Sequence, residues 1–200
     1  MKNNQSGRSM VEMLGVLAII GVLSAGGLAG YSKAMFKHKL NSTMDQLTML
    51  VTNIRTMYGT QDNYNNLSVA QAYGLGIIAA SASQGDNHSK MINPFKGDVE
   101  LESAVVKGTI ADSGFVVSYE GLPKEACIAL ATSDWGTGAG SGYIGVEVGE
   151  DDFTTAAAAT VTEVGAESTD GKYSEGTPMT VADAIDGCAA ASNTVKLYFY

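Results

Sequence analysis

Read from its residues, the chain is an α+β protein: one long N-terminal α-helix, transmembrane and then amphipathic, packed against an antiparallel β-sheet head. Two observations carry this. An apolar run over residues 10–30 passes, without a proline, into a helical stripe that reaches Tyr58. Beyond Gly59, runs rich in Val, Tyr and Phe follow one another with few long helices between them.

The helix comes first. Residues 10–30 read MVEMLGVLAIIGVLSAGGLAG, with Glu12 as the one charge. About 18 apolar or small residues follow Glu12, roughly 27 Å of helix, close to the hydrocarbon thickness of a bilayer. A polar leader, MKNNQSG, stands ahead of Arg8, and the basic cluster Lys33, Lys37, His38 and Lys39 stands behind. Apolar residues then recur at Phe36, Leu40, Met44, Leu47, Val51, Ile54 and Tyr58, in steps of three and four that mark one helix face. One helix over the whole span would run about 70 Å. Glycines at 15, 21, 26, 27 and 30 weaken it by up to about 1 kcal/mol each relative to Ala. They also permit close approach, and Gly26 and Gly30 have the small-residue spacing of packed membrane helices.

The head follows in short elements. A helix is expected over 65–80, with Ser68 and Gln71 spaced as a capping box and Gly74 and Gly76 weakening it. Strands are expected over 99–106, 114–119, 143–148 and 194–200. A helix over 122–133 has Pro123 in its first turn, and another over 180–191 has Thr180 as cap with Asp183 completing the box. Cys127 falls in the first of these and Cys188 in the second. Gly138-x-Gly140-x-Gly142 is a turn without the following helix that phosphate cradling requires. Residues 149–178 carry seven acids and one lysine with no sustained apolar period. They read as a solvated loop or an exposed recognition patch.

Composition excludes several functions. The formal net charge of -9 leaves no basic face for phosphate backbones, so no nucleic acid is expected as a partner. The two cysteines form no CxxC, and His38 and His88 stand fifty residues apart, so neither a zinc site nor any other metal or cofactor is expected. Glu150, Asp151 and Asp152 offer at most a surface calcium site, where acids ordinarily bind water. No GxSxG, HExxH, P-loop or paired-acid signature occurs, and the chain reads as no enzyme.

Glu12 decides among three readings of the start. A secretory signal peptide would be cut near Ser24–Gly27, and a simple anchor would stay. Neither has a use for a carboxylate in the apolar run, which costs about 2.5–3.5 kcal/mol on insertion scales. The segment SGRSMVEMLGVLAIIGVLSAGGLAGYSKA resembles the amino terminus of type IV prepilins. The resemblance implies that a prepilin peptidase cuts between Gly7 and Arg8, that Arg8 becomes the N-methylated terminus, and that Glu12 is the fifth mature residue and serves assembly. Arg8 departs from the apolar residue usual in the family at that place.

The second half carries a further resemblance. Asn93-Pro94-Phe95, GFVVSYEGLPKEACIALATSDWG, YIGVEVGE and TPMTVADAIDGCAA are similar to segments of the type IVb pilins, the group of the toxin-coregulated pilins. The divisions implied are a leader over 1–7, a long helix over 8–58 whose half at about 8–32 serves membrane and fibre core, and a head over 59–200. Export places Cys127 and Cys188 in an oxidising compartment, where an even pair is expected to close and bound the region 127–188. The implied function is that of a major structural subunit of a type IV pilus, polymerising through its N-terminal helix into a surface filament. Its partners would be identical subunits, the peptidase, the inner-membrane assembly machinery and, before assembly, the bilayer. The prepilin would sit in the inner membrane with a periplasmic head. Two alternatives stand beside it: a minor pilin or secretion pseudopilin, and an exported hydrolase or binding protein with a cleaved signal peptide.

Overall fold

A computed structural model describes residues 10–85, 88–106, 112–136, 142–150, 163–164 and 171–200. Two units are distinguished, residues 1–41 and residues 42–200. One helix, α1 (Met10–Tyr58), begins in the first and ends in the second.

In the second unit, α1 presents Thr43, Leu47, Leu50, Ile54 and Tyr58 as its buried side. The sequence stripe ran instead through Met44 and Val51, which are half-buried on the flank. The two lines share Leu47, Ile54 and Tyr58, and the true axis is rotated toward Leu50, which is buried where Val51 is not. Thr43 joins the core although it is polar.

Seven strands form one antiparallel path, in the order β1 (Ser83–Gln84), β2 (Lys90–Ile92), β3 (Asp98–Val106), β4 (Gly114–Leu122), β8 (Asn193–Phe199), β5 (Tyr143–Glu150) and β7 (Lys172–Glu175). The two-residue β6 (Glu163–Val164) pairs in parallel with the end of β3. The strands expected over 99–106, 114–119, 143–148 and 194–200 correspond to β3, β4, β5 and β8. β1, β2, β6 and β7 were not expected. They are two to four residues long, too short for a period to show.

Alternation fixes which face looks inward. Val99 and Leu101 of β3, Phe115, Val117 and Tyr119 of β4, Val195, Leu197 and Phe199 of β8 and Val146 and Val148 of β5 are buried on one face. An aromatic chain links this face to α1: Tyr58 lies 5.4 Å from Tyr64, Tyr64 4.8 Å from Phe115, and Phe115 5.5 Å from Phe199. The opposite face is buried too, through Ala104, Val116, Ile144 and Tyr198, with Tyr173 packed against them.

The short helices are shorter than the sequence implies. The helix expected over 65–80 is α2 (Val69–Gly74), ended by the left-handed Gly76, although Ser68 caps it by accepting from the Gln71 amide. Residues 122–133 hold α3 (Lys124–Thr132), with Pro123 at its N-cap. Residues 180–191 hold α4 (Val181–Gly187), so Cys188 stands at its C-cap rather than inside it. Of the acidic stretch 149–178, β5 takes the start and β7 lies near the end, which corrects the reading of one continuous loop. Residues 151–162 and 165–170 of that stretch lie outside the described residues, as do Gly138, Gly140, Asp151 and Asp152.

Candidate functional site

The candidate site is a surface. In the first unit that surface is α1 itself. An 18-residue window of the helix reaches a mean hydropathy of 2.1 with none of it buried. Met10, Val11, Leu14, Leu17, Ile19, Ile20, Val22, Leu23 and Leu28 are exposed around the whole circumference. A helix apolar on every side is stable only where lipid or protein surrounds it. Glu12 lies in its first turn, where the helix dipole favours a negative charge. Gly7 and Arg8 lie outside the described residues.

In the second unit the structure joins Cys127 and Cys188 in a disulfide, with Cα atoms 6.0 Å apart and both residues fully buried. Each cysteine is placed by a cap. Pro123 fixes the start of α3, its carbonyl accepting from the Ala126 and Cys127 amides. Thr180 caps α4 by accepting from the Asp183 amide at 3.2 Å, while its hydroxyl donates to the Asp183 carboxylate at 2.6 Å. That is a variant of the expected box, in which the acid returns to the cap's side chain. The bridge ties α3 to α4, and α4 lies on β5 and β7, where a Cβ on Gly187 would collide with Val148.

Two asparagines hold the frame around these helices. Asn93 Nδ2 donates to the Glu120 carbonyl at 2.7 Å, while its Oδ1 accepts from the Phe95 and Gly97 amides at 2.8 and 3.1 Å. Asn193, fully buried, donates to the carbonyls of Leu122 and Ala190 at 3.2 and 3.0 Å. Sequence reasoning used Asn93 only as part of a motif and missed Asn193. An Asn directly before a Val/Tyr/Phe run was the available signal, since a buried amide there can hold both the strand and the preceding loop.

A polar group lies inside the second sheet face. Glu147 pairs across the strands with Lys196 on one side and Tyr173 on the other. Tyr198 donates to Glu147 Oε2 at 2.7 Å. Burial holds the Lys196 ammonium below the usual lysine range, against the pull of Glu147 first and then Glu102, Glu100 and Glu120. Burial pushes the Tyr173 phenol up to about 12, with Glu175 and Glu147 adding to the shift. None of this group was singled out in the sequence, because Glu147 and Lys196 look like ordinary solvent positions within their strands.

Comparison with known proteins places this architecture. The family model described as Bundlin matches residues 33–199. The chain belongs to the Bundlin family. It is 26% identical over 200 residues to the "Major structural subunit of bundle-forming pilus" of Escherichia coli O127:H6, covering all of this chain and 95% of that one. It is 26% identical over 174 residues to the "Toxin coregulated pilin" of Vibrio cholerae, covering 82% of this chain and 75% of that one. The fold matches the crystal structure of a type IVb pilin from Salmonella typhi, with a TM-score of 0.54, 18% identity, and coverage of 78% of this chain and 97% of that one. This Bundlin-family chain shares the fold of that pilin, a long N-terminal helix and an antiparallel head.

Proposed function

We propose that this pilin is the major structural subunit of a type IV pilus. The observation that carries the reading is full-length similarity to a major pilus subunit, joined to a helix that is apolar on every side and unburied. The prepilin sits in the inner membrane with its leader, residues 1–7, inside and its head, residues 59–200, in the periplasm. Lys2 and Arg8 lie on the inner side in this orientation. A prepilin peptidase cuts between Gly7 and Arg8, and Arg8 becomes the methylated terminus. The residues in roughly 8–32 then leave lipid for a bundle of identical helices, driven by packing and interhelical contacts. Glu12, costly in either medium, pairs with the new amine of a neighbouring subunit. Contacts of this head-to-tail kind do not close, so they build a filament.

The disulfide-bounded region 127–188 belongs to the head and stabilises it; the chain works as a building block and not as a catalyst. The assembly machinery of the inner membrane extracts each subunit. Electron microscopy of sheared surface filaments, with this chain identified in them by mass spectrometry, tests the reading. A chain absent from such filaments overturns it. Amino-terminal sequencing tests processing: a start at Arg8 supports it, and a start near Gly26 points to a cleaved signal peptide instead.

A further inference from the structure

The apolar run of α1 ends at Gly30, and exposed cations begin directly after it. Lys33 and Lys37 are both exposed and four residues apart, so they share one helix face. Tyr31, 65% exposed, stands at the same level. At 1.5 Å per residue, Lys33 lies about 4–5 Å beyond the apolar run and Lys37 about 10 Å beyond it. The headgroup layer of a bilayer occupies about 5–7 Å outside the hydrocarbon on each side. In an α-helix every Cα–Cβ bond tilts toward the N-terminus, which for these residues is the bilayer side. Their stems therefore lean back, and both ammonium groups reach the phosphate level by snorkelling. An exposed tyrosine at that level adds the aromatic half of an interfacial belt.

These cations also oppose the orientation signal. The charge bias of membrane insertion favours Lys and Arg on the inner side, where Lys2 and Arg8 stand, yet Lys33, Lys37 and Lys39 lie on the other. Residues that work against topology have another use. We propose that Lys33 and Lys37 are an outer-leaflet anchor, binding the phosphates of anionic phospholipids and holding the subunit at a fixed depth before extraction. The proposal rests on the pilin orientation, with the head outside. The alternative occupant is the acidic head of a second copy, but the lean toward the bilayer and the match to the headgroup layer favour lipid.

The experiment uses the full chain in vesicles of phosphatidylcholine, or of phosphatidylcholine with about one third phosphatidylglycerol. The chain is reconstituted from detergent in a mixture of the two, and its division between them is measured. At low salt the wild-type chain should favour the anionic vesicles about 30-fold, following roughly 1 kcal/mol per surface cation and tenfold per 1.4 kcal/mol. The double variant Lys33→Gln/Lys37→Gln should lose that difference, Lys33→Arg/Lys37→Arg should keep it, and high salt should abolish it. Equal preference of wild type and the Gln variant for anionic vesicles overturns the proposal. So does a Gln variant with normal lipid preference but no filaments, which assigns the lysines to a contact between copies. Protease accessibility of the head in cells is a separate readout: a head shielded from the periplasm overturns the orientation, whatever the vesicles show.

Discussion

Gly97 sits where a Cβ would collide with the carbonyl oxygen of Glu120 and come within 2.8 Å of the Gly121 Cα. The Asn93 amide occupies the same junction, bonded to that carbonyl and to the Gly97 N–H. Gly97→Ala should therefore lower head stability by about 1–3 kcal/mol through overpacking, read as a shift in urea midpoint. Tyr198→Phe removes the donor that Glu147 Oε2 accepts from inside the sheet. It should cost about 1–3 kcal/mol, the range for a buried acceptor losing its partner. Glu12→Ala tests assembly instead. Insertion should be intact or improved, because the carboxylate cost of about 2.5–3.5 kcal/mol disappears. Filament yield should collapse, since an unpaired buried amine costs roughly 3–5 kcal/mol per subunit. Processed pilin in membranes compared with pilin in sheared filaments checks it, and normal filament yield would remove Glu12 from the assembly mechanism.

Among the elements, the bridge between α3 and the end of α4 closes a long loop. A loop of about 62 residues is worth roughly 4 kcal/mol in the chain-entropy view. Cys188→Ser should lower the urea midpoint of the head and make it protease-sensitive, and thiol labelling of the unreduced wild-type protein should find no free cysteine. The strands carry a pH response of their own. Burial raises the phenols of Tyr119, Tyr143, Tyr173 and Tyr198, with Tyr173 brought to about 12. Each then contributes stability that is complete below the unfolded value near 10 and lost as pH climbs through the folded value. The urea midpoint should fall between about pH 10 and pH 12, and tyrosinate absorbance should rise together with unfolding. Midpoints that stay level across that window would show the phenols to be solvated.

For the molecule as a whole, the two units ask for different surroundings, which predicts how the chain can be divided. Removal of residues before Lys33 should give a soluble acidic monomer, because the second unit buries its helix side at Thr43, Leu47, Leu50, Ile54 and Tyr58. Size-exclusion chromatography and circular dichroism check this; an insoluble fragment with its disulfide formed would move the boundary. The long helix and the four longer strands were legible because each repeats its period enough times to show. The short strands were not, since two to four residues carry no period and owe their pairing to neighbours such as Met91 facing Val99. The helices at Val69 and Val181 were legible at their capped starts and not at their ends. Gly76 stops one by its positive φ, and Cys188 stops the other where the bridge turns the chain. The polar group of Glu147, Lys196 and Tyr198 was hidden because charges within a strand ordinarily face water, and only burial of both sheet faces reveals otherwise.

The position of β8 between β4 and β5 sets a timetable. Both neighbours are made earlier in the chain, yet neither can complete its ladder until Asn193–Phe199 arrives. In the proposed orientation the helix enters the membrane first, its leader stays inside, and the keystone of the head is the last part delivered. Until then, Phe115, Val117, Val146 and Val148 lack the wall that shuts them from water, a span of many seconds at ordinary synthesis rates. Such a design favours a chaperone at the exit of the export channel. It also makes the head an all-or-nothing reporter of complete delivery, since a chain arrested before Asn193 should stay open to proteases while one released after Phe199 should not.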